Sequence, residues 1–119
     1  MVYRERWGKY RSIRQECQKG HWHHSKFEAG KCDSLRLHEI AGDIAGYETQ
    51  KRMRLYLGGV FMGTQTVDFF IHHTNGTREF LETKGSHLRN ESKFRRDWQI
   101  LQEMHKGDPD VKFTIEICR

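Results

Sequence analysis

The segment VDFFIHHTNGTREFLETK, residues 67–84, constrains the fold more than any other part of the chain. It has two runs rich in aromatic and β-branched residues, one on each side of Asn75-Gly76. That dipeptide is frequent in tight turns between antiparallel strands. The sequence therefore predicts a β-hairpin at this point.

The length of the turn decides which side chains share a face of the sheet. A two-residue turn would send Asp68 and Glu82 to opposite faces. A three-residue turn, with Gly76 left-handed as a bulge, would place Asp68 opposite Glu82 and bring Lys84 to the same face. We expect the three-residue turn, because it also pairs apolar residues on both faces, as in central strands covered by helices. These pairs are Phe70 with Phe80, and Phe69 with Leu81.

The flanking segments predict a helix before the hairpin, and a helix and a strand after it. Ser25 followed by Glu28 is a capping-box pattern, which opens a helix that ends near Gly42. Helical spacing of apolar residues returns over residues 90–105. Alternating apolar residues over 111–117 predict a final strand.

The order of these elements predicts an α/β (α+β) fold, with a mixed four-stranded central sheet flanked by helices. Residues 47–57 and 60–73 have the pattern of strands joined by a tight turn at Gly58-Gly59. At 119 residues we expect one domain. Its core would span 25–119, with the basic residues 1–24 packed on it as an arm or a short hairpin.

The charge of the chain favours a polyanionic partner. The formal net charge is +5, from 21 Lys and Arg against 16 Asp and Glu. Clustered cations gain binding energy by displacing the counterions condensed on nucleic acid, although many basic proteins bind none. With three widely spaced cysteines, no apparent leader and no long apolar run, we expect a cytoplasmic protein with reduced thiols and no membrane span.

The combination of Asp68, Glu82 and Lys84, with Glu28 on the preceding helix, suggests phosphodiester chemistry. Mg²⁺ prefers hard carboxylate oxygens, and a neighbouring lysine can orient water and offset the charge of the transition state. Two carboxylates opposite each other in a sheet repel, and a bound dication removes that conflict. Alternatively, the acids lie at a solvated sheet end with Lys84 as counter-ion, and Glu28 serves only the helix cap.

Five short blocks, HSKFEAG, AGDI, YETQ, VDFFIHHTNGTREFLETKG and SKFRRDWQILQEM, give the chain a resemblance to the PD-(D/E)XK nuclease superfamily. Within it, the chain is most similar to a family of small phage and prophage proteins. The resemblance covers roughly residues 8–117 and is strongest over 67–85. One departure is Val67, which stands where the pattern has a proline.

The resemblance implies a restriction-endonuclease-like core and a Mg²⁺- or Mn²⁺-dependent endodeoxyribonuclease. Matched position by position, the catalytic and metal-binding acids are Glu28, Asp68 and Glu82, with Lys84 as the lysine of the E-x-K motif. The backbone carbonyl of Thr83 would be a further metal ligand. The resemblance also gives Gln50 a supporting role, because it matches a strand glutamine that lies near the active site in several relatives. We add His72, which shares the face of Asp68 in the three-residue register.

The expected partner is DNA, including branched or junction DNA, in the host cytoplasm if the protein is phage-encoded. Arg89, Lys93 and Arg96 suit phosphate contacts near the scissile bond, and a solvated helix face is the competing interpretation. The protein could act as a homodimer that cuts both strands. The alternatives to a nuclease are an inactive nucleic-acid-binding protein and a phage structural or interaction protein.

The N-terminal end offers an alternative metal site. A zinc site could draw on His and Cys side chains there, but their spacing matches no standard zinc finger. The residues are Cys17, His21, His23, His24 and Cys32.

Overall fold

The computed structural model describes residues 15–18, 20, 22–23, 25–85 and 91–118. Its two helices are α1 (Lys26–Ala41) and α2 (Ser92–Met104). Its strands are β1 (Gln15–Glu16), β2 (Trp22–His23), β3 (Ile44–Leu57), β4 (Val60–His73), β5 (Arg78–Gly85) and β6 (Val111–Cys118).

The larger sheet has the strand order β3-β4-β5-β6. The pairs β3–β4 and β4–β5 are antiparallel, whereas β5 and β6 are parallel because the chain crosses over through α2 between them. The predicted α+β class, with two helices and a mixed four-stranded sheet, is thus confirmed.

The turn between β4 and β5 has the predicted three-residue register. The His73 amide donates to the Thr77 carbonyl at 2.8 Å, and Gly76 has a φ of 91°. A left-handed residue at this place is inexpensive for glycine, which has no Cβ. The ladder pairs Phe70 with Phe80 and Phe69 with Leu81, as expected.

The two helices pack on opposite faces of the sheet. One cluster, the α1-side cluster, joins α1 to Phe69, Ile71 and Leu81. The other, the α2-side cluster, joins α2 to Phe70 and Phe80. Neighbouring residues along β4 and β5 therefore bury their side chains in different clusters, which explains why both runs are apolar on both faces.

Helix α1 begins and ends where the sequence predicted. The Ser25 hydroxyl accepts from the Glu28 amide at 3.1 Å, and Gly42 closes the helix with a φ of 82°. Strand β3 then starts at Ile44, three residues before the predicted start. Helix α2 buries Phe94 and Trp98, which belong to the apolar residues with helical spacing over 90–105.

The described residues near the N-terminus form a small antiparallel pair. Strand β1 pairs with β2, with Gln15 opposite His23. The Gln18 amide donates to Asp33 Oδ1 on α1 at 2.7 Å, which attaches the pair to the helix. The remainder of the predicted 1–24 arm, namely residues 1–14, 19, 21 and 24, lies outside the described residues.

Neither of the two helices in the described part of the chain has the length and apolar character needed to cross a lipid bilayer.

Candidate active site

Asp68 and Glu82 lie where the backbone ladder between β4 and β5 stops. The ladder ends at the pair Phe69–Leu81, one residue short of them. Beyond it, Glu82 Oε1 accepts from the Asp68 amide at 2.9 Å, and Asp68 Oδ2 accepts from the Thr83 amide at 2.9 Å and from its hydroxyl at 2.7 Å. Side-chain carboxyls thus replace carbonyls as acceptors, and the two acids are brought together as predicted.

Both acids are buried, and this changes the proton affinity of Glu82. Asp68 is 8% exposed and Glu82 5%. Burial, followed by the negative charge of Asp68, raises the pKa of Glu82 to about 8. The charge of Glu28 acts in the same direction, whereas Lys84 opposes it. In the absence of a cation, Glu82 therefore carries a proton through much of the neutral pH range.

Glu28 serves both the helix cap and the site. Its amide is the one bonded to Ser25, so the cap interpretation holds for the backbone. Its side chain is 3% exposed and accepts from Gln50 Nε2 at 2.6 Å. Because its charge also raises the pKa of Glu82, the Glu28 carboxylate belongs to the same electrostatic cluster.

Gln50 has an unusual backbone conformation within β3. It has a φ of 52°, the one positive φ of a non-glycine residue in the described part of the chain. It is located between the pairs Thr49–Phe69 and Lys51–Val67, across from Asp68.

The regular alternation of side chains between the two faces of the sheet is interrupted in β4 at the same point. Val67 packs in the α2-side cluster, whereas Phe69, two residues on, packs in the α1-side cluster. Strict alternation would give both the same face. The break in alternation therefore falls at Asp68, and backbone strain at Gln50 accompanies it.

Lys84 is held between an acid and an aromatic ring. Its Nζ lies 3.8 Å from Glu82 Oε2 and 4.4 Å from the centroid of the Phe94 ring. The side chain is 19% exposed. An ammonium group placed over a ring face is stabilised by the ring's quadrupole, so Phe94 helps to fix this lysine beside Glu82.

His72 does not join the carboxyl pair. Its Nε2 bonds Glu48 Oε2 at 3.0 Å on β3, and its ring meets Phe70 edge to face. His72 is therefore a partly exposed sheet histidine paired with an acid on β3. Among the described residues, no hydrogen bond joins His72 to Asp68 or Glu82, so the expected supporting role at the metal finds no contact there.

The expected phosphate-binding cations on α2 are tied to an acid that the sequence analysis missed. Asp97 is 3% exposed, and it accepts from Lys93 Nζ at 2.7 Å and from Arg96 Nη2 at 2.9 Å. Arg96 also donates to the Met62 carbonyl at 3.0 Å. The Lys93–Asp97 spacing of four residues is a helical ion-pair signal, and it could have revealed the acid. Arg89 lies outside the described residues.

The chemistry of the donors fits a hard divalent cation, but the arrangement is not a ready-made metal cage. Among the described residues, no group of three or more His, Cys, Asp or Glu side chains is placed to hold a metal ion. The hydrogen bonds of Asp68 use Oδ2 and those of Glu82 use Oε1, so each carboxyl has a second oxygen that accepts none from the described residues. Carboxylate oxygens are what Mg²⁺ prefers.

The two cysteines of the zinc alternative are buried in the α1-side cluster. Burial raises the pKa of the Cys32 thiol to about 12, which keeps it protonated and therefore a poor metal ligand. His21 and His24 lie outside the described residues, and the side chain of His23 is not described.

No protein-family model, curated protein or solved structure matches this chain. The likeness to PD-(D/E)XK nucleases therefore rests on the short motifs of the sequence alone.

Proposed function

We propose that the protein is a Mg²⁺- or Mn²⁺-dependent DNA endonuclease of the PD-(D/E)XK type, with a restriction-endonuclease-like core. The observation that carries this proposal is the buried pair of Asp68 and Glu82, with Lys84 and Glu28 in the same electrostatic cluster. The mixed sheet with one helix on each face agrees with such a core.

A purely structural role for the pair is costly. Burying a carboxyl that must share its surroundings with a second acid is unfavourable, as the raised pKa of Glu82 records. Neither acid is needed for the turn, because the hairpin register is already determined by Gly76 and the apolar pairs. A site that receives a dication gives both acids a function.

In this proposal Asp68, Glu82 and the carbonyl of Thr83 would hold the ion, with Glu28 as a further ligand. A bound divalent ion supplies a Lewis acid for the phosphoryl oxygen and lowers the pKa of coordinated water. Lys84 would orient the attacking water and offset developing negative charge. Gln50 would position Glu28 through its amide.

The decisive experiment is a plasmid-nicking assay with Mg²⁺, with Mn²⁺ and with EDTA. We expect the wild type to nick in either metal and not in EDTA. Lys84→Ala should lose the activity, whereas Lys112→Ala, on exposed β6 surface, should keep it. If the wild type cuts no form of DNA, and calorimetry detects no cation site that Asp68→Asn removes, the nuclease proposal fails.

One observation favours a second candidate, a nucleic-acid-binding protein without catalysis. The two carboxyls are already engaged by backbone amides, and they do not form a metal-holding group with a third ligand in the described part of the chain. This candidate predicts DNA binding without nicking and without a calorimetric metal site, so the same experiment separates the two.

A further inference from the structure

The part of the β3–β4 hairpin nearest its turn, which we call the outer ribbon, follows Gln50 on β3 and precedes Asp68 on β4. It comprises residues 51–57 and 60–66. On one face, Leu55 is part of the α2-side cluster and Met53 packs against it. Because side chains alternate along a strand, Arg52 and Arg54 point to the other face. Both are exposed.

Among the described residues, Arg52 and Arg54 have no acidic partner, unlike Lys93 and Arg96. Within the described residues, neither Arg52 nor Arg54 forms an ion pair or a hydrogen bond to a carboxylate. Lys93 and Arg96, by contrast, both bind Asp97. The outer ribbon therefore has two guanidinium groups whose charge is not compensated locally.

Arg54 is oriented by an aromatic ring. Its guanidinium carbon lies 5.4 Å from the centroid of the Phe61 ring, and that ring meets Tyr56 edge to face at 5.6 Å. Phe61 is half exposed, so the arrangement lies on the surface. A guanidinium that lies over a ring retains N–H donors for a bidentate acceptor such as a phosphate.

The surroundings of the two arginines are polar and open. In the register of the hairpin, Thr66 lies opposite Arg52 and Thr64 lies opposite Arg54, so hydroxyl groups accompany the guanidinium groups. Arg52, Arg54, Phe61, Gly63 and Thr64 line a cleft of about 690 Å³.

We propose that Arg52 and Arg54 bind neighbouring phosphates of one DNA strand. Residues two apart on a strand are separated by roughly 6.8 Å, comparable to the spacing of successive phosphates along a nucleic-acid strand. Backbone contacts of this kind determine position and carry no sequence information. The net charge of +5 makes the whole chain complementary to a polyanion.

The cleft lies close to the candidate active site. Arg52 follows Gln50 by two residues, and Thr66 precedes Asp68 by two, so the cleft lies next to the carboxyl pair along both strands. That this strand is the substrate rests on the proposed function, whereas the phosphate contact itself does not. A second copy of the chain suits the face less well, since a symmetric contact would bring the arginines of both copies together.

The test measures binding of a fluorescently labelled DNA duplex by anisotropy across a salt series, with EDTA present so that no cleavage occurs. We expect Arg52→Gln and Arg54→Gln each to reduce the slope of log K against log salt by about 0.9, the value for one lost phosphate contact. The matched control is Lys112→Gln, which removes one charge from β6 at the opposite edge of the sheet and should leave the slope unchanged.

Phe61→Leu separates orientation from charge. Removing the ring should weaken binding by about two- to fivefold, the value of an exposed cation–π contact, while the salt slope stays at the wild-type value. Circular-dichroism melting of each variant checks that the fold is intact, which we expect because all three side chains are exposed.

Wild-type slopes in both arginine variants would overturn the proposal, as would an equal drop in Lys112→Gln. A change in mass by size-exclusion chromatography, with DNA binding unaltered, would instead identify the face as a subunit interface and overturn it too. The binding measurements contain EDTA and involve no cleavage. If the wild type never nicks DNA, the proposed function therefore fails, but the phosphate contacts measured here are unaffected.

Discussion

The amide of Asp68 donates to the carboxyl of Glu82 at 2.9 Å, so a side chain continues the pairing of β4 and β5 past the last backbone pair. The bond favours the ionised form of Glu82, but burial and the charge of Asp68 outweigh it and raise the pKa. In the metal-free protein, Glu82 is thus expected to carry a proton through much of the neutral pH range.

The first prediction concerns stability against pH in EDTA. Glu82 has a pKa of about 8 in the folded state and an ordinary value of 4.5, so the folded state binds its proton more tightly than the unfolded state. Its contribution is fully present below pH 4.5 and is lost as the pH rises to about 8. The loss should be on the order of a few kcal/mol.

Glu82→Gln should remove this loss, because a neutral amide oxygen can still accept from the Asp68 amide. Urea unfolding of both proteins at several pH values measures it, and the two free energies of unfolding should diverge as the pH rises. Glu103→Gln, an exposed acid on α2, is the control. Parallel curves for wild type and Glu82→Gln would contradict the raised pKa.

The second prediction concerns metal affinity. Asp68→Asn and Glu82→Gln each replace a proposed ligand at constant size, so calorimetry should show Mg²⁺ or Mn²⁺ binding lost or greatly weakened. DNA affinity should be kept or increased, because negative charge beside the phosphate is removed. In the wild type, metal affinity should rise with pH up to the pKa of Glu82, since binding displaces its proton. A pH-independent affinity would argue that Glu82 is not a ligand.

The third prediction separates Lys84 from the carboxyls. Lys84→Ala leaves the proposed ligands in place, so metal should still bind while the nicking rate falls by roughly a hundredfold or more. Single-turnover assays at saturating metal measure the rate. Loss of metal binding in this variant would mean that Lys84 acts by holding Glu82 in position.

The fourth prediction tests the strain at Gln50. Gln50→Gly and Gln50→Ala both lose the bond to Glu28, but only glycine accepts a φ of 52° without steric cost. We expect the glycine variant to be more stable than the alanine variant by about 1 kcal/mol in urea unfolding. The reverse order would show that the left-handed conformation is not retained in solution.

The fifth prediction concerns Asp97. Asp97→Asn removes the shared partner of Lys93 and Arg96, so these cations should become available to phosphates and the salt dependence of DNA binding should steepen. The loss of hydrogen bonds to a buried charge should also lower the free energy of unfolding by about 1–3 kcal/mol. An unchanged salt slope would show that α2 does not face the DNA.

The sequence predicted the fold correctly where the local conformational preferences of residues agree with the pattern of burial. The register of β4 and β5 could be predicted, because Gly76 permits a bulge and the Phe70–Phe80 pair favours only one alignment. The start of α1 followed from Ser25, whose hydroxyl needs only the amide three residues on.

The sequence failed where long-range packing overrides local preference. A positive φ at Gln50 has no local signal, since glutamine normally avoids that region, and it becomes apparent only when β3 and β4 are paired. For a similar reason, the sequence could place Lys93 and Arg96 on one side of α2 but could not show Asp97 buried beneath them.

The amides of Asp68 and Thr83 have carboxyl groups as their acceptors. Backbone NMR resonances are sensitive to the charge of the group that accepts their hydrogen bond, so these two amides are natural probes of the site. Their nitrogen and proton chemical shifts should follow the titration of Glu82, whose pKa is raised to about 8, and should respond to added cation ahead of any turnover. Occupancy of the centre could thus be followed at the backbone amides of the wild-type protein, without a substrate and without a mutation.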